Sequence, residues 1–480
     1  MDRRSFLGLT AAVGAAAVVG CSTRTPAPPP IAPRPLVVPP LARAATDRSG
    51  RRVLDLVAGA GTSSFLAGRA TPTWGYGGLP FGGPTLRATR GDRVVVRVRN
   101  DLPETTTTHW HGMTLPATAD GGPHQPIAPG ETWTPEWTVE QPAATLWYHP
   151  HPHGSTERHV HRGLAGLFLV DDPEPTGLPD RYGVDDVPVV VTDRTFAPDG
   201  SFDEAGRTAH GLVGSTVLVN GAVRPYLAAS STRLRLRLLN ASPARCYRVA
   251  RSDGAPLVLV GTDQGLLPAP RDAADVLLTP GERAEVVVDL VPGARVWLRS
   301  LPQDLGAVSG TERSLGARDT LDLLELRAPA DAAPPPPLPT TLPHDPALVL
   351  PAGATTRVLE LGDDRINGRE MDMRRVDEVV PAGAVELWEL RNTHTRPHNL
   401  HVHDARGQVL GTHAWKDTVY VPPRSTVRVV FRFGRHADPV TPFMYHCHLL
   451  AHEDQGMMGQ FVVVDPGMSA GPVTGAHHHG

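Results

Sequence analysis

The amino-acid sequence predicts an all-β fold, on the evidence of its glycine and proline content, an internal repeat and the weakness of any helical periodicity. Its 480 residues include 48 glycines and 50 prolines, which favours many short strands joined by turns. Three stretches alternate apolar and charged side chains, as half-buried strands of an antiparallel sandwich do, and each ends in asparagine. These stretches are 91–100, 231–240 and 383–392.

Each of these strands is followed, some tens of residues later, by a second turn-plus-strand unit. The units begin at Pro129-Gly130-Glu131, Pro280-Gly281-Glu282 and Pro422-Pro423-Arg424. Three copies of one pattern predict three similar β-sandwich domains with few, short helices. Boundaries are expected near 171–186 and in the proline-rich linker 328–346. The expected domains are 45–175, 185–327 and 347–468, followed by a tail at 469–480.

The N-terminus has the pattern of an export signal. Residues 1–21 place Arg3 and Arg4 before a short apolar run, which is typical of twin-arginine (Tat) signals and is too short for a membrane span. The run ends in Val-Val-Gly-Cys21, which resembles a lipoprotein cleavage site; ordinary cleavage nearby is the alternative. The proline-rich stretch 22–44 is expected to be a stiff tether. We therefore expect a protein in the periplasm or on the outer face of the cell membrane, lipid-anchored through Cys21.

Charge and cysteine content exclude several classes of function. The 46 basic and 50 acidic residues give a net charge of −4 without a long run of one sign, so no nucleic-acid partner is expected. Three cysteines leave little room for a disulfide framework in an exported protein. Cys246 is expected to be a small buried side chain on a strand, since a disulfide between Cys246 and Cys447 would remove a metal ligand.

The stretch 445–457 contains the strongest functional signal. On an extended strand His446 and His448 point to one face and Cys447 to the other, so adjacent residues can serve two metal centres. One cysteine, two histidines and a weak axial methionine make a blue-copper electron-transfer site. His452 and Met457 follow Cys447 at suitable spacing, and His398 is the candidate for the second histidine.

Four His-x-His units supply eight further candidate ligands. Each unit places two imidazoles on one face of a strand, where they could grip a metal from one side. The units are His109/His111, His149/His151, His401/His403 and His446/His448. Because two units come from the first repeat and two from the third, a cluster is expected at the interface of these domains. The second repeat, whose only histidine is His210, is expected to be structural.

Four signatures along the chain resemble those of three-domain bacterial multicopper oxidases, the family of laccases and periplasmic cuprous oxidases. They are His-Trp-His-Gly at 109–112, Trp-Tyr-His-Pro-His at 147–151, His-x-x-His-x-His at 398–403 and His-Cys-His-x-x-x-His-x-x-x-x-Met at 446–457. The third reads Arg-Pro-His-Asn where many relatives have His-Pro-x-His, but a histidine still occupies the required position. In the second, His149 and His151 match the family, and His153 is left as a supporting residue.

The resemblance implies cupredoxin-like Greek-key domains and four copper ions. Its type 1 ligands would be His398, Cys447, His452 and Met457, and its type 2 ligands His109 and His401. The type 3 pair would be held by His111, His149, His151, His403, His446 and His448. The cysteine and methionine argue against zinc, which is the common metal of Cys/His clusters.

The resemblance also implies a reaction: four one-electron oxidations of a small reducing substrate, with electrons passing through Cys447 to a trinuclear cluster that reduces O2 to water. The reaction consumes protons, and Asp120 and Glu453 match acidic positions that relay them in the family. The alternatives are a turn-forming aspartate and a solvated loop carboxylate. His159, His161 and the C-terminal run 477–479 fall outside the family pattern, so surface positions are expected for them.

Three functions agree with these residues. The first is an oxidase with laccase-like breadth for phenols, aromatic amines or metal ions. The second is a dedicated cuprous oxidase, whose relatives carry a methionine-rich insert; here only Met371 and Met373 precede the third signature. The third is a non-enzymatic envelope protein that keeps the fold and has lost copper, as some cell-division relatives have, although the complete ligand sets of this sequence argue against it. A monomer is expected, because one chain contains all three domains.

Overall fold

In a computed structural model, which describes residues 32–306, 311–331 and 333–473, the chain forms six β-sheets, two for each repeat. Only three short α-helices occur within those ranges. The all-β prediction is confirmed. Of the helices in the described ranges, none is long and apolar enough to cross a bilayer.

The first repeat consists of two packed sheets. After β1 (Arg34–Pro35), its strands are β2 (Ala44–Thr46), β3 (Arg52–Ser63), β4 (Thr71–Tyr76), β5 (Leu86–Thr89), β6 (Arg93–Asp101), β7 (His109–His111), β8 (Thr132–Trp133), β9 (Glu136–Thr138), β10 (Ala144–His149) and β11 (Gly166–Asp171). One sheet has the order β2-β3-β6-β8, with β4 paired to β3 and β9 paired to β6, and the other has the order β5-β11-β10-β7. A 3₁₀-helix spans Ala117–Ala119 and helix α1 spans Thr156–Arg162.

The second repeat has a seven-stranded and a six-stranded sheet. Its strands are β12 (Asp186–Arg194), β13 (Thr216–Val219), β14 (Ala222–Val223), β15 (Pro225–Ala228), β16 (Arg233–Asn240), β17 (Tyr247–Arg251), β18 (Leu257–Thr262), β19 (Gly265–Ala273), β20 (Val276–Leu278), β21 (Arg283–Asp289), β22 (Arg295–Ser300) and β23 (Leu321–Arg327). Helix α2 is the single turn Thr311–Ser314.

The third repeat has a six-stranded and a five-stranded sheet. Its strands are β24 (Thr356–Gly362), β25 (Arg365–Ile366), β26 (Glu378–Pro381), β27 (Val385–Asn392), β28 (His398–Val402), β29 (Ala405–Val409), β30 (Trp415–Lys416), β31 (Thr418–Val421), β32 (Ser425–Phe433), β33 (Asp438–Cys447) and β34 (Met458–Val464). Helix α3 spans Leu450–Asp454.

The asparagines that end the repeated strands make the same contacts in all three repeats. Asn100 donates its side-chain amide to two backbone carbonyls and accepts from the backbone N–H two residues later. Asn240 and Asn392 repeat both interactions. The strands that they end, β6, β16 and β27, also each pair in parallel with an earlier strand of their own repeat. The sequence repeat is therefore a structural repeat.

The apolar core is shared unevenly among the repeats. Buried side chains of the first and third repeats form one continuous cluster, which contains Trp110 and Tyr148 as well as Trp388 and Cys447. The second repeat has a separate core. The interface between the first and third repeats is therefore packed like a protein interior, and it is here that the ligand-bearing strands meet.

The proline-rich stretch is a shorter tether than expected, because part of it is docked on the body. Strand β1 pairs in parallel with β15 of the second repeat, matching Arg34 with Pro225. The N–H of Leu36 donates to the carbonyl of Tyr226 at 2.8 Å. These contacts fix the chain from residue 34 onward. The expected export signal and Cys21 lie outside the described residues.

Candidate metal centres

Strand pairing places the predicted ligands opposite one another. In the first repeat β10 pairs with β7, which sets His149 beside His109. In the third repeat β28 pairs with β33, which sets His401 beside His446 and Leu400 beside Cys447. Because side chains alternate along a strand, this register sends the imidazoles to the shared interface and the thiol to the opposite side.

Cys447 forms a centre with two histidines. Its Sγ lies 3.5 Å from Nδ1 of His398 and 3.6 Å from Nδ1 of His452. The backbone of Met457 closes the loop, since its carbonyl accepts from the N–H of Cys447 at 3.1 Å and its N–H donates to the carbonyl of His452 at 2.9 Å. The side chain of Met457 is fully buried. All four predicted type 1 residues are thus held in one compact unit.

The other eight histidines converge between the first and third repeats. Nitrogens of His111, His149 and His448 lie within 4.8 Å of one another, as do those of His151, His403 and His446. The Nε2 atoms of His109 and His401 are 3.3 Å apart. Nitrogens of His109, His401 and His403 also lie within 4.8 Å of one another, so the pair His401/His403 shares one group, whereas the other three His-x-His units divide their rings between groups.

The chemistry of these donors fits a metal. Burial lowers the pKa of His448 well below its usual value, and neither ring nitrogen has a hydrogen-bond partner. Burial also lowers the pKa of His151 to about 3, so both rings are neutral and their lone pairs are available. Burial raises the pKa of the Cys447 thiol to about 12, a cost that coordination to a cation removes. Buried polar groups without a hydrogen-bond partner are rare in proteins, and a bound metal ion would supply the missing interaction here.

Oxygen atoms orient the rings from behind, as is usual around metal ligands. Nδ1 of His109 donates to the backbone carbonyl of Asp120 and Nδ1 of His401 to that of Asp417, each at 3.0 Å. Nδ1 of His403 donates to Oδ2 of Asp120 at 2.8 Å. Asp120 thus contacts two rings of different groups, which a turn-forming role alone does not require, although it does precede a Gly121 with φ of 79°.

Glu453 contacts two other rings of the histidine cluster. Its Oε2 is 3.0 Å from Nδ1 of His446, and its Oε1 is 3.3 Å from Nδ1 of His151. Only 1% of the residue is exposed, which excludes a solvated loop carboxylate. Burial raises its pKa. A carboxyl group of this kind can hold a proton beside the cluster at a higher pH than an ordinary glutamate.

A second aspartate that the sequence did not reveal also contacts the cluster. Asp417, fully buried after β30, accepts from Nε2 of His111 at 3.0 Å. The two terminal nitrogens of Arg283, in the second repeat, donate to the two carboxylate oxygens of Asp417 at 2.7 and 2.5 Å. Burial alone would raise the pKa of Asp417, but the Arg283 charge holds it well below the usual value. The second repeat therefore contributes a charge to the site, beyond the structural role expected from its lack of ligands.

Other expectations have mixed outcomes. The prediction of surface positions for His159 and His161 is wrong, because α1 turns both rings inward and leaves them 0% and 2% exposed. Cys246 is a small buried thiol, as predicted, but it directly precedes β17 instead of lying on a strand. His153 is exposed in the loop before α1. The C-terminal histidine run lies outside the described residues.

Comparison with known proteins identifies the family to which the chain belongs. Two family models described as multicopper oxidase match residues 58–175 and 341–467. The multicopper oxidase mco of Staphylococcus haemolyticus is 32% identical over 450 residues, covering 90% of this chain and 92% of the relative. The chain belongs to the multicopper oxidase family. Copper is this family's cofactor, and its members take O2 and a reducing substrate.

Further relatives carry different names. Cell division protein FtsP of Escherichia coli is 34% identical over 450 residues, covering 90% of this chain and 93% of that protein. A laccase structure from Pediococcus acidilactici is 33% identical, with a TM-score of 0.82 and coverage of 91% and 95%. The laccase-like multicopper oxidase CueO of Ochrobactrum sp. is 34% identical, with a TM-score of 0.80 and coverage of 90% and 100%.

Proposed function

We propose that this protein couples four one-electron oxidations of a small reducing substrate to the reduction of O2 to two waters. The proposal rests mainly on the position of Cys447. Its thiol belongs to one centre, while the neighbouring His446 and His448 belong to the two three-histidine groups of the other. The two centres are therefore joined through the backbone of three consecutive residues.

The cysteine centre and the histidine groups favour the binding of four copper ions, with the ligands that the family pattern implies. The type 1 site comprises His398, Cys447, His452 and Met457, and the type 2 site His109 and His401. One type 3 site comprises His111, His149 and His448, and the other His151, His403 and His446. Copper bound there supplies one-electron acceptance at the cysteine site and reduction of O2 at the cluster.

Two carboxylates are placed to supply protons to the cluster. Glu453, protonated to higher pH because it is buried, faces His446 and His151. The carboxylate of Asp120 accepts a hydrogen bond from Nδ1 of His403. This hydrogen bond also fixes which nitrogen of His403 faces inward, whereas Glu453 meets its two rings through charge contacts without a hydrogen bond.

The electron donor is proposed to approach the His452 edge of the cysteine centre. Oδ1 of Asp364 lies 3.6 Å from Nε2 of His452, and the Asp364 side chain is 22% exposed. The segment that carries Met371 lies against the loop between His452 and Met457, because the backbone N–H of Met371 donates to the carbonyl of Gly456. Because that segment contains only two methionines, Met371 and Met373, it favours laccase-like breadth over a dedicated cuprous oxidase. Comparing oxygen uptake with copper(I) and with a phenol as donor separates these two.

The cell-division relatives raise a non-enzymatic alternative. The complete set of buried ligands favours an oxidase, because an unloaded cluster leaves neutral, unpartnered imidazoles buried at a cost. The test is to load the full chain with copper and record the blue absorption band and phenol-dependent oxygen uptake. Cys447→Ala should abolish both, whereas Cys246→Ala, which removes the other buried thiol, should keep both. A colourless, inactive wild-type protein that retains bound copper would contradict the proposal.

Export and anchoring complete the proposal. We propose that the twin-arginine segment directs the folded chain across the membrane and that Cys21 is acylated, holding a monomer at the outer face. The pattern Val-Val-Gly-Cys supports acylation. Metabolic labelling with palmitate should mark the wild-type chain and not Cys21→Ala. A wild-type protein that stays unlabelled would remove the lipid anchor from the proposal.

A further inference from the structure

A cavity of about 330 Å³ lies between the first and second repeats, away from the metal ligands. Its walls are mostly apolar and include Phe65, Phe81, Leu167 and Val190. It reaches the surface, because Val37 and Ser64 at its rim are exposed. A volume of this size accommodates on the order of a dozen non-hydrogen atoms, and interfaces between domains are common places for small-molecule sites.

One wall of the cavity carries a buried positive charge. Arg194, at the end of β12, is 1% exposed. Its terminal nitrogens donate to neutral oxygens: the hydroxyl of Thr192 and the carbonyl of Asp193, both at 2.6 Å, and the carbonyl of Val160 at 3.1 Å. Its Nε has no partner. The guanidinium is therefore hydrogen-bonded only to neutral oxygens, and one of its nitrogens is left without a partner.

The charges of Asp193 and Glu204 favour the cationic form of this arginine from a distance. Within the described part of the chain, no carboxylate oxygen forms an ion pair with Arg194 at 4.0 Å or less. Arg245 donates to Oδ2 of the adjacent Asp193 at 2.8 Å, while Oδ1 of Asp193 is buried without a hydrogen-bond partner. Two aromatic rings, Phe81 and Phe202, lie 5.5 and 5.3 Å from the guanidinium carbon and offset part of the charge. Burial lowers the pKa of Arg194 to about 10, so it remains cationic at neutral pH.

We propose that this cavity binds a small amphipathic carboxylate, an aromatic or short aliphatic acid, with its carboxylate at Arg194 and its apolar part against Phe65 and Phe81. A buried cation is stable when an anion faces it, and a planar guanidinium matches a carboxylate. The apolar walls favour a hydrocarbon body over a phosphate or sulfate ion. None of the residues that line this site is a proposed copper ligand, and the proposal is independent of the proposed oxidase reaction.

The probe is 2-naphthoate, compared with its neutral counterpart 2-naphthamide, in titration calorimetry of the copper-loaded full chain. We expect 2-naphthoate to bind the wild-type protein about tenfold or more tightly than the amide, as expected for a hydrogen bond to a charged group. Arg194→Met should reduce naphthoate binding to the level of the amide. Arg271→Met, which removes an exposed arginine elsewhere, should leave it unchanged.

A second variant keeps the test valid if Arg194→Met does not fold. Ala165→Leu fills part of the cavity without changing charge, and should weaken both probes. Equal binding of acid and amide to the wild-type protein would overturn the proposal, as would no binding at millimolar concentration. Naphthoate binding that survives Ala165→Leu unchanged would place it elsewhere, for example at the copper centres, and would also overturn the proposal.

Discussion

The buried pair of Asp417 and Arg283 provides a sharp test of how the second repeat contributes to the cluster. Both side chains are 0% exposed, and the Asp417 carboxylate also accepts from His111. Asp417→Asn removes the charge while keeping the shape, which leaves the buried Arg283 cation with only the more distant Asp263 carboxylate, 3.9 Å away, as an acidic partner. Breaking a buried pair in this way costs about 3–5 kcal/mol of folding free energy.

An exposed pair of similar geometry serves as the control. Arg97 and Asp55 are 2.6 Å apart but 54% and 65% exposed, so Asp55→Asn should cost less than about 1 kcal/mol. Urea unfolding of the copper-free proteins measures both changes. Adding Arg283→Met to Asp417→Asn should cost less than the sum of the single changes, since the two residues are in contact.

The same variant has a second readout at the metal. Asp417 orients the His111 ring, so Asp417→Asn should weaken copper binding by about 10- to 100-fold, as loss of a ligand-supporting carboxylate typically does. Competition with a chelator measures this, and Asp55→Asn should leave it unchanged. An Asp417→Asn protein as stable as Asp55→Asn, with copper affinity intact, would refute the role assigned to the pair.

Three further predictions concern titratable groups. Because burial raises the pKa of Glu453, this residue loses its proton only as pH rises through that raised value. In measurements of steady-state oxygen uptake, Glu453→Gln should therefore lower the rate of oxygen reduction, and the rate of the variant should fall less steeply at alkaline pH than that of the wild type. Asp120→Asn should slow reoxidation by O2 while donor reduction of the blue band in anaerobic stopped flow keeps its wild-type rate; unchanged turnover and pH dependence would remove Asp120 from the proton path. Burial lowers the pKa of His161, so the unfolded chain binds a proton that the folded chain does not, and stability falls below about pH 6.5, by roughly 1.4 kcal/mol at pH 5.5. His161→Leu should therefore lose less stability than wild type between pH 7.5 and 5.5, whereas His413→Leu at an exposed position should behave like wild type.

The features that could be predicted from the sequence depend on interactions between residues close together along the chain. Alternation along a strand places His446 and His448 on one face and Cys447 on the other, and this needs no knowledge of the fold. The repeated strands could be recognised because the terminal Asn100, Asn240 and Asn392 each satisfy the same turn. These patterns were sufficient to predict three sandwiches and the convergence of the first and third.

What the sequence did not reveal depends on tertiary contacts. Asp417 meets His111 and Arg283 across more than a hundred residues of chain, and nothing in its local sequence distinguishes it from an ordinary aspartate. His159 and His161 look like surface residues because only the packing of α1 buries them. The docking of β1 on β15 likewise depends on an open strand edge in the second repeat.

In the proposed reaction, donor oxidation and O2 reduction occur at separate centres joined through Cys447. The most direct measurement is the stoichiometry of donor oxidised to O2 consumed in the copper-loaded protein, with hydrogen peroxide assayed in parallel. We expect four equivalents of a one-electron donor to be oxidised for each O2, without accumulation of peroxide. Two equivalents for each O2 with stoichiometric peroxide, or full turnover in Cys447→Ala, would contradict it.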